Sequence, residues 1–318
     1  MSEIRYVKEK FIKLVPNETI ENVNKITKGY SHDCWIITTT TDKFIFKINK
    51  RKLDIEYFKN EVYAQQLLFE KGIPVPKIIN YCEEDLIIVS EFIDGMDAGE
   101  CLNLLSENEK ECFFFYLGQW VAKMHSIKND KFTHDILGNL KEEAGWVIGY
   151  GNKTYNLLDN VRATNTLKED EIDFVYNKCL KLLEETESTI IPAYTHRDLY
   201  LNNFIIKDRK FKCLIDFEGA RFYDPVIDFV KLEVQVFNEY PSVRYKFYEG
   251  YQSILPFDNS IYSRYLSSIG FEMLGFISYF GVLYPDRGLT DMAVTKIKAL
   301  TLLLEKEHTE NGKFIPII

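Results

Sequence analysis

Three short runs rich in β-branched and aromatic residues, 193–198, 203–207 and 212–217, interrupt a chain whose pattern is otherwise helical from about residue 106 onward. This interruption is the strongest constraint on the fold. Strands so short cannot hold a sheet by themselves, so helices must support them, and the loops between them display polar residues in a fixed arrangement. The first hundred residues read differently. Runs 34–41 and 43–49 flank Thr41-Asp42 as a hairpin. A helical stretch, 53–71, carries Ile55, Phe58, Val62, Leu67 and Leu68 at helical spacing and stops at Gly72. Pro74 and Pro76 force extension, and 77–82 with 86–92 form a second hairpin across Glu83-Glu84-Asp85. The turn Asp94-Gly95 is the expected boundary, giving a strand-rich unit over 1–94 and a helical one over 95–318. One helix is expected in the first unit. In the second, Ser106 with Glu109 makes a capping box for a helix to about Ser126, two more helices are expected over 142–160 and 168–189, and helices resume from Pro225.

Composition removes several classes. The 318 residues are 46% hydrophobic and 27% charged, as in ordinary globular proteins. Lys plus Arg is 39 against 48 Asp plus Glu, a net charge of -9 that disfavours general nucleic-acid binding. Cys34, Cys82, Cys101, Cys112, Cys179 and Cys213 show no CxxC spacing and no zinc pattern, which suits a reduced, cytoplasmic setting. No apolar signal core opens the sequence, and the apolar stretch 271–284 is interrupted by Glu272 and two glycines, so neither secretion nor a membrane partner is expected.

Asp198, Asn203 and Asp216 lie on or beside the three short strands. Two carboxylates and an amide are a poor zinc set but a good magnesium set, and magnesium usually shares its ligands with phosphates. Taken singly, each of the three would read as a turn cap or a strand end. Together they follow an order, His196-Arg197-Asp198, then Asn203, a strand, a turn and Ile215-Asp216-Phe217, that resembles the catalytic loop and metal-binding strand of the protein-kinase-like superfamily. The resemblance implies an α+β, bilobal protein-kinase-like fold with a strand-rich N-lobe and a mainly helical C-lobe. It implies Asp198 as the catalytic group, Asn203 and Asp216 on Mg2+, and ATP or GTP as co-substrate. It also implies Lys47, on a strand of alternating pattern, at the nucleotide phosphates and Glu61 holding its ammonium. Ser31 in Lys28-Gly29-Tyr30-Ser31 would cover the phosphates; the Glu91 carbonyl and Ile93 amide would meet the adenine edge. His196 and Asp228 would brace the loop.

Within that superfamily the sequence is similar to the aminoglycoside phosphotransferase and choline kinase side. Asp224-Pro225-Val226-Ile227-Asp228 follows Asp216-Phe217-Glu218 almost at once, leaving no room for the long activation segment on which protein kinases seat a peptide. The helix ending at His125 resembles one in those families, although a packed helix-end role is the expectation for His125 itself. Arg197 departs from the glycine common there. The expected activity is transfer of a nucleotide γ-phosphate to a hydroxyl of a small molecule. A choline, amino-alcohol or sugar kinase, or a nucleotide-binding member without catalysis, are the other readings. Glu218, Glu233, Glu239 and Glu272 are acids that could receive a cationic substrate; Tyr240, Tyr245, Phe247, Tyr248, Tyr251 and Tyr262 could cage a quaternary amine.

Overall fold

The protein is described by a computed structural model covering residues 3–26, 32–49, 55–132 and 151–305. Helix α1 (Glu3–Leu14) precedes a five-stranded antiparallel sheet of order β1-β2-β3-β5-β4, built from β1 (Ile20–Ile26), β2 (His32–Thr39), β3 (Lys43–Asn49), β4 (Ile78–Cys82) and β5 (Ile87–Glu91). Helix α2 (Ile55–Glu70) lies between β3 and β4 in sequence. The period-2 alternation of the central strands divides the packing. Phe44 and Phe46 of β3, with Ile87 and Val89 of β5, join Val7 and Phe11 of α1 and Trp35 of β2 in one core. Leu86 and Ile88 point the other way and pack on Phe58 and Val62 of α2.

The two hairpins form where the alternation predicts, and β3 pairs with both β2 and β5. Helix α1 and strand β1 are additions to the expected single helix. Only Val7 and Phe11 of α1 are buried, an i, i+4 pair too sparse to stand out in a charged stretch, and β1 is a largely exposed edge strand, Ile-Glu-Asn-Val-Asn-Lys-Ile.

Strand β6 (Met96–Asp97) leads into the short helix α3 (Ala98–Cys101) and then α4 (Glu107–His125), whose N-terminus carries the full Ser106–Glu109 capping box. The stretch expected as one helix over 142–160 lies partly outside the described residues; its remainder is two short helices, α5 (Asn152–Tyr155) and α6 (Leu158–Ala163). Then come α7 (Glu169–Thr186), β7 (Ala193–Thr195), β8 (Phe204–Lys207), β9 (Lys210–Leu214), β10 (Arg221–Tyr223), α8 (Val226–Leu232), α9 (Arg244–Gln252), α10 (Ile261–Ser278) and α11 (Arg287–Glu305). The short strands make two small antiparallel sheets, β6-β8-β9 and β10-β7.

Helices α4 and α9 cross at backbone distance. A Cβ at Gly118 would sit 2.1 Å from the Phe247 carbonyl oxygen, and one at Gly250 only 2.0 Å from that of Phe115. Helix α10 runs on through a π turn to Leu283. That makes one continuous apolar run of 23 residues, longer than the sequence pattern suggests and long enough to cross a membrane; 61% of its most apolar window is buried inside the protein. All six cysteines are free.

Candidate active site

Lys47 lies where the five-stranded sheet meets the helical part of the chain. On β3 it stands on the face opposite Phe44 and Phe46, directly across from Cys34 of β2. Its ammonium donates to Glu61 Oε1 of α2 at 2.5 Å and to Asp216 Oδ1, just beyond β9, at 3.0 Å. Burial alone would push the Lys47 ammonium down, but the two carboxylates outweigh it and raise its pKa, so the lysine stays charged. Burial pushes the Asp216 carboxyl up, and Lys47 more than reverses this and holds it low. Asp216 is held at φ 68°, a left-handed conformation that a non-glycine residue adopts at a cost. Nearby, Asn60 of α2 donates to the Ala220 carbonyl at 2.8 Å, a second tie between sheet side and helical side.

The 196–203 loop is held from beneath. Strand β7 ends at Thr195, and Arg197 also takes a left-handed conformation, φ 67°. Asp228, in the first turn of α8, is fully buried and accepts from the His196 amide at 2.8 Å and the Arg197 amide at 2.6 Å. His125 at the end of α4 bonds Asp228 through Nε2 at 3.0 Å and the Tyr251 hydroxyl of α9 through Nδ1 at 3.0 Å. Burial lowers the His125 pKa despite the carboxylate beside it. In the neutral ring, Nε2–H donates to Asp228 and Nδ1 accepts from Tyr251. His196 Nε2 bonds the Ile215 carbonyl at 3.0 Å, tying the loop to the residue before Asp216.

Asn203 donates through Nδ2 to the Asp198 carbonyl at 2.8 Å and to its Oδ2 at 3.1 Å, which turns its Oδ1 away from Asp198. Asp198 itself is exposed. Loss of water around its carboxyl pushes its pKa up, with His196 and Lys231 pulling the other way. The Arg197 guanidinium lies 4.5 Å from the Tyr223 ring centroid.

The structure thus gathers Lys47, Glu61 and Asp216 in one contact set and His196, Asp198, Asn203 and Asp228 in another, joined by the His196–Ile215 bond. Glu91 ends β5, its amide donating to the Lys77 carbonyl and its side chain accepting from the Lys77 amide; Ile93 follows in the connection to β6. Ser31 lies outside the described residues. His32 is one residue sequence reasoning passed over. Its Nε2 approaches Glu218 Oε2 at 3.4 Å and Glu61 Oε2 at 3.8 Å. The signal was available, since His32 shares a face of β2 with Cys34, the residue opposite Lys47. Of the six aromatic residues expected as a cage, Phe247, Tyr248 and Tyr251 are buried and pack on Phe229, Tyr240 and Tyr262 are half-buried, and Tyr245 is exposed.

A family model for phosphotransferase enzymes matches residues 22–256. The chain belongs to that phosphotransferase enzyme family. No curated protein matches it. Among solved structures, aminoglycoside phosphotransferase APH(2'')-Ib in its ADP-bound form superposes with a TM-score of 0.64 at 18% identity, covering 94% of this chain and 98% of that one. A putative fructosamine-3-kinase from Thermobifida fusca YX-ER1 gives 0.63 at 15% identity, with 92% and 98% covered. Aminoglycoside phosphotransferase APH(4)-Ia gives 0.65 at 12% identity, with 94% and 98% covered. At these identities the likeness establishes the fold, a bilobal protein-kinase-like one with a strand-rich N-lobe and a helical C-lobe. In this phosphotransferase, residues 217–223 consist of a turn, closed by the Ala220 amide on the Phe217 carbonyl, and strand β10 pairing back on β7.

Proposed function

We propose that this phosphotransferase moves the γ-phosphate of ATP or GTP to a hydroxyl group of a small molecule, in a cleft between a nucleotide-binding lobe over 1–94 and a catalytic lobe over 95–318. One observation carries the reading: a lysine of the sheet is bound at once by a helix glutamate and by the aspartate that follows β9. A half-buried ammonium between two carboxylates leaves a net negative charge, which a divalent cation bringing a polyphosphate would balance.

The donor set beside it fits magnesium. Asp216 offers a carboxylate with one oxygen on Lys47 and the other left over, and Asn203 offers the amide oxygen turned away from Asp198. Both are hard oxygen ligands. Asn203 and Asp216 would hold the ion, and Lys47 would neutralise phosphate oxygens, kept in place by Glu61. When bound, magnesium supplies charge neutralisation along the phosphate chain. Asp198 is exposed and would orient the acceptor hydroxyl and take its proton at a carboxylate oxygen; a raised pKa improves it as a base. His196 and Asp228 would keep the loop in register. Ser31 would cover the phosphates, and the backbone of Glu91 and Ile93 would face the base.

The test is direct. With magnesium and ATP or GTP, a panel of hydroxyl compounds is assayed for nucleotide diphosphate release. Asp198→Ala should lower turnover by roughly 10²- to 10⁴-fold while nucleotide affinity, read by calorimetry, stays. Retained turnover removes the base assignment. Asp216→Ala should weaken nucleotide binding only when magnesium is present; unchanged affinity removes its role as ligand.

A further inference from the structure

Helix α2 packs on both lobes. Phe58 and Val62, an i, i+4 pair, lie against Leu86 and Ile88 of the sheet side. Ala64 and Leu68, on another face, join the core of the helical lobe, which also holds Leu214, Phe217 and Ala220. Helical spacing puts Tyr57 and Asn60 on that second face. The Arg221 guanidinium lies 5.0 Å from the Tyr57 ring centroid, and Asn60 Nδ2 donates to the Ala220 carbonyl at 2.8 Å. Glu61 falls between the two faces and meets Lys47.

Asn60 and Glu61, neighbours in the chain, therefore hold one short segment at its two ends. Glu61 binds Lys47, which donates to Asp216 at 3.0 Å; Asn60 binds Ala220, whose amide closes the intervening turn on the Phe217 carbonyl at 3.1 Å. Asp216 stands at φ 68°, so the backbone path that leaves it decides where its carboxylate points. Beyond Ala220, Arg221 pairs with Thr195, and the Thr195 hydroxyl donates to the Arg221 carbonyl at 2.9 Å, directly before the loop that carries Asp198. Asn60 is buried, yet its Oδ1 finds no hydrogen-bond partner among the described residues. One bond gained and one buried acceptor left over are of similar size and opposite sign, so the side chain adds little to stability. Its contribution is to fix where the turn after Asp216 lies.

We infer that Asn60 is a positioning residue of the transfer reaction: by holding the Ala220 carbonyl it sets the Asp216 turn against Lys47, so that the magnesium ligand and the phosphate-binding ammonium keep one separation. The inference rests on the phosphotransferase reading above and deepens it by a residue that acts only through others. Misplacing reacting groups by about 1 Å costs on the order of 10²-fold in rate, which sets the scale of the effect. The Ala220 carbonyl needs a donor. A leucine of similar size supplies none, and a carboxyl supplies one only while it is protonated.

Wild type, Asn60→Leu and Asn60→Asp are compared as full-length proteins, with magnesium, ATP and the best hydroxyl acceptor of the panel above. Asn60→Leu should lower kcat roughly 10- to 100-fold with KM for ATP little changed and the urea midpoint kept. In Asn60→Asp the ratio of kcat to that of wild type should rise as pH falls from about 8 to about 5.5, because burial raises the new carboxyl and its protonated form donates to Ala220. Taking the ratio cancels the titration of groups that the two proteins share. Unchanged kcat in Asn60→Leu, a midpoint that falls in step with kcat, or a flat ratio in Asn60→Asp overturns the inference; if Asn60→Leu does not fold, the ratio decides. Amide hydrogen exchange reads the same tie without turnover. Val62→Ala loosens α2 on its sheet side, away from Lys47, and should speed exchange in α2 and over 217–223; with Asn60→Leu added, the response over 217–223 should be lost. That coupling in a wild type that transfers no phosphate sustains the tie and overturns the phosphotransferase reading. Transfer that Asn60→Leu leaves untouched, with no such coupling, does the opposite.

Discussion

A single carboxylate, that of Asp228, holds two loop amides and a histidine ring. Removing it leaves buried donors without an acceptor, each costing about 1–3 kcal/mol. Asp228→Ala should therefore destabilise the protein by roughly 3 kcal/mol or more, seen as a lower urea midpoint at constant slope. The ring also gives a pH signature. The folded pKa of His125 lies below its ordinary value, so between the two the unfolded chain binds more protons than the native one. Stability should fall as pH drops below about 6.5 and level off once the depressed native value is passed. The Asp228 carboxyl, held low by His125, adds a loss only at more acid pH, below about 3.8. Denaturation midpoints from pH 8 to 5 check the first window, and His125→Gln should flatten it. Asp198, Asn203, Asp216 and Asp228 are legible in the sequence because their spacing along a short stretch fixes their mutual placement. His125 reads there as a packed helix-end residue. Its bonds to Asp228 and Tyr251 are not readable, because the three come from α4, α8 and α9.

What brings two of those elements, α4 and α9, together is a pair of glycines. Gly118 and Gly250 let α4 and α9 touch backbone to backbone, and Tyr251 follows Gly250 directly. Gly250→Ala should cost at least about 1–3 kcal/mol, since neither contacting carbonyl can move aside as a side chain would, and a thermal melt with turnover measured alongside reads both effects. At the other end of α4 the capping box is exposed and local. Ser106→Ala should lose only about 1 kcal/mol and leave activity intact. The capping box is visible as Ser106 with Glu109 because it is a contact within four residues. The glycine crossing is not, because each glycine by itself looks like a helix weakness. The same reason explains α1 and β1: their identity depends on the sheet they cover, and their own pattern is thin.

Across the molecule, the Lys47 contact with Asp216, the Asn60 bond to Ala220 and the approach of His32 to Glu218 join the two lobes. Nucleotide with magnesium should strengthen this joint and raise the melting temperature, with about 2.7 kcal/mol of added stability at a hundredfold excess over Kd. In Lys47→Met most of that shift should vanish, as differential scanning calorimetry will show. The bilobal plan is legible from the change of pattern near Asp94-Gly95, and Lys47 and Glu61 from their order along the chain. The pairing of Lys231 with Glu272 is not, because α8 and α10 are far apart in the sequence. The turn and strand of 217–223, closed back on β7, have one more consequence. A segment closed by its own turn and paired along one edge on β7 has little slack to be pinned or released by a modifying group. Throughput in such a protein would have no covalent throttle at this point, and would follow the supply of its two small reactants.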